Sequence, residues 1–197
     1  MKKIILTAAI LFSVFHSFSQ TKDELEIFNQ GRNRITKNAM IVLGGWSIAN
    51  LVYSGIATGR TSGSDKYFHQ MNVMWGGINF GLAALGYLGT RNKNSLSLTQ
   101  SLKQQAGIEK TYMFNLGLDV AYVASGFYLK ERGKNNTKNA EKFKGYGESI
   151  ILQGAALMVL DAVLFTVHNR HSKKLYKVVD KIQIAATGDG IGLLVGL

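Results

Sequence analysis

Apolar positions come in long blocks along this chain rather than in strand-like alternation. An apolar run of twelve residues, Ile4 to Phe15, broken only by Thr7 and Ser13, follows Lys2 and Lys3 and precedes Ser17, Phe18, Ser19 and Gln20. A basic start, a short apolar run and small residues after it describe a secretory signal, with cleavage expected near Ser19 or Gln20. The run is short of the ~20 residues that cross a bilayer; the alternative is an uncleaved N-terminal anchor. Four further blocks follow, at residues 38–58, 71–90, 111–129 and 149–167. The first two carry no charge, the third only Asp119 and the fourth only Asp161. Each has the length a helix needs to cross ~30 Å of hydrocarbon at ~1.5 Å per residue. A soluble bundle would show charge on the outer face of every helix. The pattern therefore predicts an all-α membrane protein, an antiparallel bundle of four transmembrane helices at about 38–58, 70–90, 111–129 and 149–168 within residues 21–180.

The connectors fit that reading. Thr21 to Glu24 is a capping-box pattern, and Leu25, Phe28, Arg32 and Ile35 then keep helical spacing, which predicts a helix lying on the membrane surface. Residues 91–110 read as a polar surface segment and 130–148 as a solvated connection. The last helix is expected to run on to about Lys177. In the tail, 181–197, two apolar runs flank Thr187-Gly-Asp-Gly190, a hairpin signal. Arg60, Arg91, Lys110, Lys130, Arg132 and Arg170 bracket the spans, and Tyr67, Tyr87, Tyr112 and Tyr128 lie at the same levels, as interfacial residues do. Gly55-Ile-Ala-Thr-Gly59, Gly77-Ile-Asn-Phe-Gly81 and Gly117 with Ala121 are small-xxx-small patterns that predict close helix packing.

Composition matters less than this order. The net charge of +11, from 23 Lys and Arg against 12 Asp and Glu, invites a nucleic-acid reading. The cations sit in the connectors without interleaved aromatics, so anionic headgroups are the expected partner and nucleic acid is not. Absence of Cys excludes disulfides and thiol chemistry, and absence of Pro suits unbroken helices. Orientation is contested. A cleaved signal places loops 59–70 and 130–148, with eight Lys and Arg, in the cytoplasm, and thirteen on the other side. The positive-inside rule prefers the reverse.

Each span holds a polar residue near its centre: Asn50, Asn79, Asp119 and Asp161. Trp46 and Trp75 precede the two asparagines by one turn, and Tyr53 and Tyr122 follow Asn50 and Asp119 by three residues. One polar stripe per helix is what a bundle interior in lipid requires. Counted from the span ends, the four converge in one layer, with the two acids at nearly one level. Such a layer reads either as interhelical hydrogen-bond glue or as a proton or cation site. His69 and His168 fall at opposite faces and cannot share a metal; His168 with His171, one turn apart, suits an interfacial polar role better than a metal site. No phosphate loop, Gly-x-Ser-x-Gly or His-Glu-x-x-His is present, so neither an enzyme nor a cofactor is expected.

The Phe18-Ser-Gln20 end of the signal, Gly44-Gly-Trp-Ser-Ile-Ala-Asn50 and Tyr67-Phe-His-Gln-Met-Asn72-Val-Met-Trp75-Gly-Gly-Ile-Asn79 resemble an uncharacterised family of small Bacteroidota membrane proteins. The resemblance implies four spans and carries no activity. The expected place is the bacterial inner membrane, as a non-enzymatic envelope component that packs with itself or with a membrane partner. The alternative is a small proton- or cation-coupled transporter using the Asp pair.

Overall fold

A computed structural model describes the backbone of residues 2–91, 95–180, 182–187 and 190–195, and the side chains of residues 23–91 and 95–179. Four helices dominate it: α1 (Lys2–Thr58), α2 (Gly63–Gly89), α3 (Leu98–Lys134) and α4 (Ala140–Asp180). Beyond them β1 (Ile182–Thr187) and β2 (Gly190–Val195) pair antiparallel, Ile182 opposite Val195 and Thr187 opposite Gly190. The turn between the strands, residues 188–189, lies outside the described residues, as do the side chains of the expected signal.

The helices are longer than the uncharged windows because nothing in the sequence stops them earlier. α1 passes unbroken through Thr21, so the capping pattern there does not start a helix; no Pro or Gly interrupts residues 2–30. α3 starts on a true capping box, Ser97 Oγ accepting from the Gln100 N–H and Gln100 Oε1 accepting from the Ser97 N–H. It begins well before the uncharged window, so most of the expected polar segment 91–110 is helix. The 130–148 connection shrinks to residues 135–139, where Asn136 Oδ1 accepts from the Asn139 N–H just before α4. Gly63 turns the chain into α2 at φ +59°, a left-handed conformation that favours Gly.

Neighbouring helices in sequence run antiparallel. α3 packs along α4, α1 along α2, and α2 along α4, while α2 and α3 have no extended seam and meet at the Trp75 and Tyr122 rings. Glycines set the close seams. A Cβ at Gly126 would meet the Gly147 carbonyl at 2.7 Å, and one at Gly147 would meet the Gly126 carbonyl at 2.6 Å, so α3 and α4 touch backbone to backbone. Gly76 lies against Ser47 and Leu51 of α1 in the same way. The expected small-xxx-small faces are not these seams: Gly55, Gly77, Gly81 and Gly117 meet nothing within 4 Å. Spacing identifies a small face; only the register of the neighbour decides whether it is used.

The interior is polar and the exterior apolar. Among the described residues the buried polar side chains outnumber the buried apolar ones. Ile41, Val52, Met74, Leu85, Phe114, Val120, Val159 and Val163, spread over all four helices, are exposed. Two helices, over Asp23–Thr58 and Ala140–Val179, are long and apolar enough to cross a membrane. α2 and α3 do not reach that measure, so the expectation of four spans is carried by two helices on length and composition. Burial of His69, Asn72 and Asn79 on α2, and of Gln105 and Asp119 on α3, shows where their polar content went.

α2 stops at Gly89, and the other three helices continue past it. Leu25 and Phe28 of α1 pack there with Leu175 of α4, supported by Leu98 and Leu102 of α3. The expected surface helix before the first span is therefore collinear with it, with Arg32 fully buried. The extended α3 and α4 give that apolar face a protein partner, which is why it does not need the bilayer surface.

Candidate functional site

Two separate polar assemblies occupy the interior. One is a closed network around Gln153 of α4, which is fully buried. Gln153 Nε2 donates to Asn50 Oδ1 and to Asn72 Oδ1, each at 2.8 Å, and Gln153 Oε1 accepts from the Trp46 indole N–H at 3.0 Å. Ser149 Oγ donates to the same Asn72 oxygen at 2.8 Å, and Asn50 Nδ2 donates to the Trp46 carbonyl at 2.8 Å. Three helices are tied through one amide. Every amide oxygen of Asn50, Asn72 and Gln153 is hydrogen-bonded, which suits fixed structure rather than exchange with a ligand.

The other assembly lines a cavity of about 650 Å³ between α2 and α3, backed by α1 and α4. It exists because those two helices do not pack together. Asn79, Asp119 and Asp161 all line it; Asn50 does not. The expected single layer of four thus splits, and Asn50 belongs to the network. At the deep end Trp75 meets Tyr122 edge to face, ring centroids 5.0 Å apart. The other two supporting aromatics lie elsewhere. Trp46 serves Gln153, and Tyr53 is largely exposed beside His69, whose Nδ1 faces Ser54 Oγ at 3.2 Å.

The acids are close without sharing a level. Asp161 bonds to the Asn115 side chain, whereas Asp119 sits one turn further along α3, about 6 Å in axial rise. They are near enough to interact electrostatically. Asp119 is 2 % exposed and its Oδ2 has no hydrogen-bond partner among the described residues; Asn79 Nδ2 is likewise unpartnered there. Neither acid forms an ion pair among the described residues. Equal depths predicted from span ends are off by that turn, because the α3–α4 seam is set by Gly126 and Gly147 and not by where charge resumes.

Sequence reasoning passed over the cavity's other end. Arg32 lines it with Asn33, Thr90 and Gln104. The guanidinium is fully buried, its two terminal nitrogens have no hydrogen-bond partner among the described residues, and it lies 6.0 Å over the Phe28 ring. Burial pushes its pKa below the ordinary value. A helical stripe of Leu25, Phe28 and Arg32 was the only signal, and it reads equally well as an amphipathic face.

His168 and His171 are buried inside the bundle. His168 stacks on Tyr112 with ring centroids 5.5 Å apart. His171 stacks on Phe28 at 4.5 Å and donates from Nε2 to the Phe28 carbonyl at 2.9 Å, in space left by Gly31. Burial pushes the His171 pKa down, Lys174 and Arg32 push it further, and the Phe28 carbonyl opposes them. The folded chain thus resists a proton that the unfolded chain accepts near pH ~6.5. Stability from this ring is present above that pH and is lost as pH falls below it. Thermal unfolding of His171→Gln is expected to change less between pH 7.5 and 5.5 than that of the parent; equal pH dependence would refute the assignment.

Among the described residues no three His, Asp or Glu side chains gather as metal ligands. Comparison with curated proteins and with solved structures gives no match. Residues 42–162, more than half of the chain and the part that carries Asn50, Asn79, Asp119, Gln153 and Asp161, match a family of unknown function (DUF6992), and the chain belongs to that family.

Proposed function

We propose that the protein is a non-enzymatic, four-span integral membrane protein of the cell envelope that binds a proton or cation at Asp119 and Asp161. One observation carries this: two buried carboxylates line one open cavity without a cationic partner among the described residues. A carboxylate held in lipid without a counter-ion must take up a proton or a cation, or remain costly. The four-span part is supported by large apolar side chains exposed on every helix around a polar interior. Charged or amide groups that fail to face lipid are what a bundle in a bilayer requires.

The test is flux. Proteoliposomes of the parent protein are expected to dissipate an imposed proton or alkali-cation gradient faster than empty vesicles. Asp119→Asn with Asp161→Asn is expected to abolish that difference. Parent vesicles indistinguishable from empty ones would overturn the ion site.

A second reading is a packing component that associates with its own kind or with a membrane partner. It is favoured by the open glycine faces at Gly77, Gly81 and Gly117, which meet nothing within 4 Å among the described residues. Under that reading the double Asn variant supports the cell as well as the parent does.

A further inference from the structure

Arg32 does not belong to the ion site. Asn29 donates to Ser101 at 3.0 Å, so α1 and α3 run level there, and Arg32 is level with Gln104. Asn115, the partner of Asp161, lies eleven residues further along α3, about 16 Å below Arg32. The stretch between is lined mainly by apolar groups, Met40, Leu82, Ile108 and Leu164 among them. Leu82 and Ile78 are more than half exposed, so the cavity is open along its flank. One slot therefore joins a buried, unpaired guanidinium at the level where α2 ends, an apolar middle, and a side opening.

A buried guanidinium without an acceptor leaves strong donors unsatisfied, which is costly unless an anion completes them. Its planar fork matches the oxygens of a carboxylate or phosphate. Among the described residues neither ion pair involves Arg32. The two His rings beside it add no acceptor anion; the neutral acceptors nearby, Gln105 Oε1 and Asn29 Oδ1, are themselves without a partner among the described residues, so neither is engaged by the guanidinium. The apolar middle offers nothing to a fully polar anion and suits an alkyl chain.

We propose that the slot takes a single-chain acid amphiphile from the bilayer, its carboxylate or phosphate monoester headgroup on Arg32 and its alkyl chain between α2 and α3. The proposal rests on the membrane reading above but does not use Asp119 or Asp161. The helix packing admits the ligand sideways, since α2 and α3 do not close on each other along the slot. The headgroup stays at the interfacial level while the chain remains at hydrocarbon depth, so entry strips no charge into the membrane core.

The experiment uses the full chain in phosphatidylcholine nanodiscs with tritiated laurate, counted against empty discs. Saturable binding is expected, with dodecanol, which has the chain but no charge, at least about tenfold weaker as a competitor, since charge-assisted hydrogen bonds are lost. Arg32→Gln is expected to weaken laurate by a similar factor, about tenfold, and Arg32→Lys by less. Leu82→Trp, which leaves Arg32 intact and fills the slot, is expected to weaken laurate as well. Asp119→Asn with Asp161→Asn is expected to bind like the parent, whatever its flux. Dodecanol competing as well as laurate, or Arg32→Gln binding unchanged, overturns the assignment. If Arg32→Gln fails to fold, the dodecanol comparison and Leu82→Trp decide on folded protein. Inorganic phosphate displacing laurate at equal concentration makes Arg32 a free-anion site and overturns the amphiphile. Protein that does not enter the discs overturns the membrane reading and this assignment with it.

Discussion

Gln153→Leu is expected to lower the unfolding free energy by about 2–4 kcal/mol. The substitution is close in volume, so little of the loss is a cavity. It comes from three groups at once: the Trp46 indole N–H loses its acceptor, and Asn50 and Asn72 lose a donor. Asn72 keeps Ser149, which holds the estimate below the sum of three orphaned groups. Measured hydrogen bonds between membrane helices average only about 0.6 kcal/mol, because the separated helices find other partners. The larger figure follows from three helices sharing one amide: α1 and α2 have no other side chain that reaches them both from α4 among the hydrogen bonds described here. Denaturation in mixed micelles reads the loss. A cycle with Asn72→Leu distinguishes a network from independent contacts. Coupling of at least about 0.5 kcal/mol is expected, and strictly additive losses would dismiss the network.

Gly145→Leu is expected to cost about 3 kcal/mol and to separate α2 from α4. A Cβ at Gly145 lies on the Ser64 carbonyl oxygen, 2.7 Å from the Phe68 backbone nitrogen and 2.8 Å from Tyr67 Cβ. Those are backbone atoms and a stem carbon, which cannot swing aside as a side-chain tip would. Relief requires α4 to move, and its start is fixed on α3 by the Gly126–Gly147 approach. The strain therefore passes along the bundle instead of dissipating at an end. Gly77→Ala is the contrasting change. Nothing lies within 4 Å of its Cβ, and Ala is the better helix former by about 1 kcal/mol, so a small gain is expected. Thermal melting of both variants checks the pair; a destabilised Gly77→Ala would mean that this face is already occupied by another molecule.

Asn79, Asp119 and Asp161 were legible as interior groups because charge and amide in an apolar block have few other places to go. Trp75 and Tyr122 were legible as companions, one turn or less from those groups. What the order of residues does not contain is the offset between helices. That offset took Asn50 out of the layer and gave it to Gln153. It staggered the acids by a turn. It also chose Gly76, Gly126, Gly145 and Gly147 for the seams over the glycines with the more regular spacing. Arg32 was invisible for a different reason. An Arg beyond the end of an apolar block reads as a headgroup contact, and only α3 and α4 outgrowing α2 turns its surroundings into an interior.

The packing is uneven, and its unevenness is mechanical. α4 is joined to α3 and α2 by backbone-level seams, whereas α2 and α3 meet at the Trp75–Tyr122 rings, a contact worth about 1 kcal/mol. Pivoting α3 on its Gly126–Gly147 seam with α4 parts those rings and the Asn29–Ser101 contact with α1, but no glycine seam. The softest displacement of the molecule is thus a sideways breathing of one helix into its surroundings. In a bilayer that displacement changes the cross-sectional area of the protein, so lateral pressure does work on it directly. Under the membrane reading proposed above, tension in the bilayer bears on the width of the slot just as a bound molecule does.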